Sequence, residues 1–301
     1  VSAEPALHEV RTSGAVLRGE LHLCENPSDS DATTVVIRTP YDASAHRPIA
    51  RAWNDRGYHC LVQDVRGRYR STGDWDPYAH EESDGAATVD AVVADPKLGA
   101  EVLVFGASYA AHCALEAARS RRGCVTGVIA LVPALGLYET AYAGDVVRHR
   151  DRIGWWEQHG FGRRSVLGLT EPELDVRAAS AAMIGPLAAA ENWDWDQRRL
   201  CLWRRLWSSD PLDLHERYLG CTMPLLVVSG QFDFFDSEAR SLTDAWTGAA
   251  TFRTGPWGHQ LLTGITDPEQ RARARRLGSP AEFIDRWLTT LAVRSTDGGP
   301  R

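Results

Sequence analysis

The stretch "EVLVFGASYAAHCALEAAR", residues 101–119, decides the fold. It opens as an apolar run of strand character, breaks at Gly106-Ala107-Ser108, and resumes with helical spacing after the break. A strand, a tight turn and a helix with a serine at the apex would lift that serine above the edge of a parallel sheet. The turn is sharply bent, so the residues two before and two after the serine must be small. Gly106 and Ala110 hold those places, with alanine where a second glycine is usual. From these residues alone Ser108 has two readings, a nucleophile or a helix N-cap.

Outward from this stretch the chain alternates strands and helices. Residues 8–26 read as two strands around Ser13-Gly14, and "TTVVIRTP" (33–40) as a third. "SAHRPIARAWNDRGY" (44–58) has helical apolar spacing and stops at Gly57, a C-cap residue. "HCLVQDVRG" (59–67) is a buried strand, followed by a polar, turn-rich loop that runs to Gly85. "AATVDAVVADP" (86–96) is a helix stopped by Pro96, and "CVTGVIALVPA" (124–134) is a further strand. This alternation implies βαβ units and a mostly parallel central sheet with helices on both faces.

Between 135 and 220 the strand pattern disappears and helical segments dominate, carrying six of the eleven tryptophans. In "RRLCLWRRLWSSD" (198–210), Leu200, Trp203 and Trp207 share a stripe, with Arg198 and Arg205 expected to face away. The sheet pattern returns with "MPLLVVSGQFD" (223–233), the helix "SEARSLTDAWTG" (237–248) and "ATFRTGPWGHQ" (250–260). A last helix, "PAEFIDRWLTTLA" (280–292), precedes a polar tail expected to fray. The expected division is an α/β core in two parts, 1–134 and 221–301, interrupted by a helical, Trp-rich cap insertion at 135–220.

Composition narrows the function classes. A net charge of −7 and an acidic pI near 5.8 argue against nucleic acid or an anionic membrane as the partner. There is no run of 18 apolar residues, and "VSAEPALHEV" has no basic-then-apolar export pattern, so a cytoplasmic location is expected. The six cysteines (Cys24, Cys60, Cys113, Cys124, Cys201, Cys221) are scattered without a C-x-x-C pair and read as reduced thiols. No metal, nucleotide or flavin motif is present, so no metal and no cofactor is expected. Lys97 is the only lysine, a poor basis for amine catalysis. Nothing in the sequence sets an oligomeric state.

A serine hydroxyl becomes a nucleophile only beside a base that a third group orients. In a sheet of this kind the chain order is serine, acid, histidine, each at the end of a strand. Asp233 ends "LLVVSGQFD", and His259 follows the next strand in a glycine-rich loop. Asp236 is a second candidate acid, although Ser237 and Glu238 mark it as a helix start. The set Ser108, Asp233 and His259 in that order is the α/β-hydrolase pattern. His112 lies one helical turn beyond Ser108 and reads as core or pocket wall.

Several linked motifs carry a closer resemblance. "RTPYD" (38–42), "GY" (57–58), "DVRGRYRSTGDWDPY" (64–78), "ESDG" (82–85), "GASY" (106–109) and "GPWGH" (255–259) together resemble the cocaine esterase / X-prolyl dipeptidyl-peptidase family of α/β-hydrolases. The resemblance implies Ser108 as nucleophile, Asp233 as acid and His259 as base. It also implies an oxyanion hole made from the Tyr41 hydroxyl and the Tyr109 backbone N–H. Only 42 residues follow His259, too few for the C-terminal β-sandwich domain of that family.

The expected activity is hydrolysis of a small-molecule ester or amide through an acyl-enzyme. The alternatives are transfer or cyclisation of the acyl group, and a non-catalytic binding protein on a hydrolase scaffold. Trp155, Trp156, His149, His159 and Trp257 are candidates for contact with substrate, although the insert's tryptophans could equally form its own core. Glu157, Asp194 and Asp196 are the insert carboxylates that an aminopeptidase would need for a free N-terminus, and read as solvated surface.

Overall fold

Residues 4–25 and 33–297 are described by a computed structural model. Its main sheet is built from β1 (Ala6–Thr12), β2 (Ala15–His22), β3 (Thr33–Thr39), β4 (His59–Asp64), β5 (Glu101–Ala107) and β6 (Val125–Leu131). After a small separate hairpin, β7 (Tyr142–Ala143) and β8 (Val146–Val147), the sheet is completed by β9 (Leu225–Gly230) and β10 (Ala250–Gly255). The spatial order is β1-β2-β4-β3-β5-β6-β9-β10. β1 and β2 pair antiparallel with their neighbours, and from β4 to β10 every pairing is parallel. This is the α/β-hydrolase fold.

Alternate residues of each strand feed opposite faces, as the two-residue period requires. Val36, Leu61, Val104, Val128 and Val227 pack with α2 (Glu81–Ala94), α3 (Tyr109–Ser120) and α10 (Asp236–Ala245). Val35, Ile37, Val62, Phe105, Ile129 and Val228 pack on the other face with α1 (Arg47–Asn54), α11 (Pro268–Arg276) and α12 (Pro280–Asp297). Strands apolar on both faces are what a sheet covered on both sides demands.

Two elements differ from the sequence reading. α2 begins at Glu81 rather than Ala86, because Glu81, Glu82 and Asp84 suit the positive end of a helix dipole. Gly85 then lies inside the helix, where a Cβ would come within 2.9 Å of the Ala117 Cβ on α3. Its glycine thus permits close crossing of the two helices. α11 was not expected, since only Ala274 is buried along it; Asp267 caps it and Pro268 opens it. The polar tail beyond Asp297 lies outside the described residues.

Between β6 and β9 the chain forms α4 (Leu137–Ala141), the β7-β8 hairpin, α5 (His149–Trp155), a π-helical turn at Trp156–Gly160, α6 (Glu171–Ile184), α7 (Pro186–Ala190), α8 (Gln197–Trp207) and α9 (Leu214–Arg217). Trp156, Trp193, Trp195, Trp203 and Trp207 pack with Ile153, Leu174 and Leu206 into one cluster belonging to this segment. Arg198 and Arg205 face away from the tryptophan stripe, as the helical spacing suggested, Arg198 exposed and Arg205 half-buried, and both bond the neighbouring loop. Arg198 donates to the Trp75 carbonyl at 3.1 Å, and Arg205 donates to the Pro77 carbonyl and pairs with Asp76. They tie α8 to the loop after β4.

Candidate active site

Ser108 sits between β5 and α3 with φ 55° and ψ −120°, in a region that side-chain-bearing residues rarely adopt. The strain persists because its surroundings determine it. Its N–H donates to the Leu131 carbonyl at 2.9 Å, and its own carbonyl accepts from Ala111 at 3.0 Å. Gly106 is required: a Cβ there would lie 2.0 Å from the Ala110 carbonyl oxygen. Among the described residues the other non-glycine residues with positive φ are Asp42, Tyr69, Tyr78, Val132, Asp194 and Leu261; Asp42 adjoins Tyr41 and Tyr78 lines the pocket over Ser108.

The three residues proposed from sequence meet. Ser108 Oγ lies 2.9 Å from His259 Nε2, and His259 Nδ1 lies 2.8 Å from Asp233 Oδ1. The Asp233 side chain is fully buried, whereas that of His259 is about one-sixth exposed. A carboxylate at Nδ1 selects the tautomer protonated there and leaves Nε2 free to accept the serine proton. Phe234 stacks on the His259 ring at 4.3 Å between centroids and Phe235 meets its edge at 5.4 Å, so the imidazole is held in plane. Asp236 is not in this chain; it begins α10 and pairs with Arg240 at 2.8 Å.

Tyr41 reaches the serine from the turn after β3. Its hydroxyl accepts from Trp155 Nε1 at 3.0 Å, and burial raises its pKa above the usual phenol value, with Trp155 and then Ser108 acting in the opposite direction. The turn is fixed by Asp64, which accepts from the Ala43 N–H at 2.7 Å, and by Arg68, which donates to the Pro40 carbonyl at 2.9 Å. The Tyr109 N–H opens α3, where no carbonyl one turn back within the helix can take it. The Tyr109 side chain points elsewhere: its hydroxyl donates to Glu81 at 2.6 Å and accepts from the Tyr78 N–H at 2.7 Å. His112 is buried with Nδ1 against the Leu135 carbonyl at 2.8 Å, and burial lowers its pKa.

A pocket of about 960 Å³ opens over Ser108 and His259. Trp155 and His159 line it from the cap, and His159 has its pKa pushed down to about 4, first by burial and then by the Arg68 charge. Trp156 and His149 do not reach it. Trp156 is buried in the cap's own core, and His149 packs on Trp207 at 5.3 Å. Trp257 borders the pocket but is only 1 % exposed, its ring filling the space left by Gly255 and its Nε1 donating to the Ser229 carbonyl. It shapes the turn that carries His259. Glu157 and Asp196 lie elsewhere in the cap, Glu157 bonded to Arg177 and Trp195, and Asp196 capping α8; Asp194, in a left-handed turn, is likewise absent from the pocket wall.

Sequence reasoning missed Phe232, Phe234, Phe235, Tyr78 and Arg152, all in the pocket wall. The aromatic run following Gln231 was a usable signal, since it directly surrounds Asp233. Among the described residues no cluster of His, Cys, Asp and Glu could hold a metal ion, and no helix is long and apolar enough to cross a membrane.

The loop quoted as "DVRGRYRSTGDWDPY" is the platform on which the cap rests. Arg66 binds Asp84 through two nitrogens, at 3.0 and 2.5 Å, and Gly67 has φ +71° with Trp75 backbone where a Cβ would be. Arg68 then reaches across to Ser165 at 2.9 Å and to the Gly162 carbonyl, and Trp75 donates to the His159 carbonyl at 2.9 Å. These bonds place the π-helical turn, and with it His159, beside Tyr41.

The chain is similar to several known proteins. The chain is 25 % identical over 295 residues to the cocaine esterase of Rhodococcus sp. (strain MB1 Bresler), covering 88 % of this chain and 49 % of that protein. An aminopeptidase from a marine sediment Thaumarchaeota archaeon superposes with a TM-score of 0.63 at 19 % identity, over 85 % of this chain and 49 % of the other. An esterase of Pyrococcus furiosus superposes with a TM-score of 0.59 at 16 % identity, over 94 % and 91 %. The chain thus spans about half the length of the curated relative it matches. The model of the X-Pro dipeptidyl-peptidase (S15) family matches residues 23–261, from the end of β2 through the His259 turn, and the chain belongs to that family.

Proposed function

We propose that this protein is a serine hydrolase that cleaves an ester or amide through an acyl-enzyme. The observation that carries this reading is the unbroken hydrogen-bonded chain from Ser108 through His259 to Asp233 at the floor of a large pocket. Ser108 Oγ attacks the acyl carbonyl as His259 Nε2 takes its proton, and the imidazolium beside Asp233 returns that proton to the leaving group. Negative charge on the carbonyl oxygen is met by the Tyr41 hydroxyl and the Tyr109 N–H. Water activated by His259 then releases the acid. Trp155, Phe232, Phe234 and Phe235 offer an apolar wall for the acyl or alcohol part.

The test is a fluorophosphonate probe with intact-mass detection, followed by trapping of an acyl adduct from a panel of esters and amides. Wild type should gain one adduct on the peptide carrying Ser108, and Ser108→Ala should gain none and lose turnover by a factor on the order of 10⁶. A folded wild type that takes up no probe removes the proposal.

The aromatic wall of the same pocket favours one second reading, acyl transfer or cyclisation, because excluding water from the acyl-enzyme diverts it to another nucleophile. The ratio of transferred product to free acid, measured with amine and alcohol acceptors present, separates the two.

A further inference from the structure

The cap places a buried cation in the pocket wall without a partner. Arg152, on α5, is 4 % exposed and lines the same pocket as Ser108 and His259. Its Nε has no hydrogen-bond partner, and among the described residues no carboxylate lies within ion-pairing distance of its guanidinium. The neighbouring arginine on the cap, Arg148, shows what satisfaction looks like: it pairs with Glu238 at 2.7 Å and donates to the carbonyls of Glu139, Tyr142 and Phe234. Arg152 has instead the Phe235 ring, at 5.5 Å from its guanidinium carbon. Burial lowers its pKa, with the nearby Arg148 charge acting in the same direction and Tyr78, Asp151 and Tyr41 opposing it.

A buried charge with no partner is costly, and native proteins keep one where a ligand completes it. The other charged groups of the wall do not remove this need. Asp151 and Asp267 are not buried, Asp267 is occupied in capping α11 at Gln270 N, and Arg273 adds a second positive charge. Arg152 shares the wall of one cavity with Ser108, Tyr109 and His259. A group bound to it would occupy the same cavity as the carbonyl that Ser108 attacks.

We infer that the pocket selects substrates bearing a carboxylate, which seats on the Arg152 guanidinium while Ser108 attacks a neighbouring ester or amide carbonyl. This rests on the hydrolase reading above. The planar fork of arginine suits a carboxylate through two parallel N–H donors, and the low dielectric of the site strengthens the pair. The carboxylate belongs either to the acyl part or to the leaving group, and the chemistry of recognition is the same.

The test compares matched pairs on wild type: 4-nitrophenyl hydrogen adipate against its methyl ester, and 4-acetoxybenzoate against methyl 4-acetoxybenzoate. In one pair the carboxylate sits on the acyl side, in the other on the leaving group. The expected result is a kcat/KM about tenfold to a hundredfold higher for the anionic member of one pair. In Arg152→Gln and Arg152→Met that ratio should fall towards one, mainly through KM. Equal or reversed preference in both pairs on wild type overturns the inference. So does a ratio that survives the substitutions, or a loss shared equally by charged and neutral esters, which would place Arg152 in transition-state electrostatics. Should the variants not fold, thermal stabilisation of wild type by glutarate but not by glutaramide supports the site, and equal effects of the two overturn it. Probe labelling of Ser108 is scored separately, so loss of the hydrolase reading and loss of the carboxylate site are told apart.

Discussion

Ser108 shows how a residue's role is set by what its backbone is forced to do. The φ of 55° is held by Leu131 and Ala111, and Gly106 leaves the room that the bend requires. Ala110, in the first turn of α3, is the smallest residue with a side chain and is itself buried. Tyr41 has the sharper prediction. If its hydroxyl stabilises the oxyanion, Tyr41→Phe should lower kcat by about 10²–10³ with the probe still reacting at Ser108. Turnover within a factor of two of wild type would remove Tyr41 from the oxyanion hole. Trp155 adds to the same point, since its Nε1 bond aims the hydroxyl.

Elements meet through small residues and buried charges. α2 crosses α3 at Gly85, and α3 carries Ser108 at its start. Gly85→Ala should therefore destabilise by about 1–3 kcal/mol, because the added methyl overlaps the Ala117 side chain and backbone. A melting curve reads this; an unchanged Tm would mean that the two helices can separate freely. The cap is anchored at two ends, by Arg148 to Glu238 at the start of α10 and by Arg205 and Arg198 to the loop after β4. Arg148→Met leaves Glu238 buried without its partner and should cost about 3–5 kcal/mol in stability. Equilibrium denaturation of that variant, with a loss below about 1 kcal/mol, would show the pair to be dispensable.

Over the whole molecule, burial shifts several histidines in one direction. His46, His112 and His159 all have lowered pKa values, His159 to about 4, with burial the leading cause in each. At these sites the unfolded chain binds more protons than the native one below about pH 6.5, for His159 down to about pH 4, so they cost no stability at neutral pH and progressively destabilise as pH falls through 6.5. Tm should drop by several degrees between pH 7 and pH 5. His159→Gln should remove its share, so the drop becomes smaller. A variant with the same or a steeper acid loss would contradict the assignment of a neutral His159.

Strand and helix periodicity in the sequence determined the sheet, its two covered faces and the order serine, acid, histidine, because those patterns are local and repeat along the chain. The glycines at 106 and 255 and the turn at 256–259 were also legible, since their residue types answer local backbone demands. The choice of Asp233 over Asp236 as the group beside His259 needed only the strand end plus the helix-start signal. The tertiary structure decided which aromatic rings face the pocket, leaving Trp155 at its wall and turning Trp156, Trp193 and Trp203 into the core of the cap. It alone revealed Arg152 as a buried charge without a partner. A helical stripe tells which side chains are neighbours on one surface, but whether that surface meets solvent, a core or a cavity depends on segments distant in the chain.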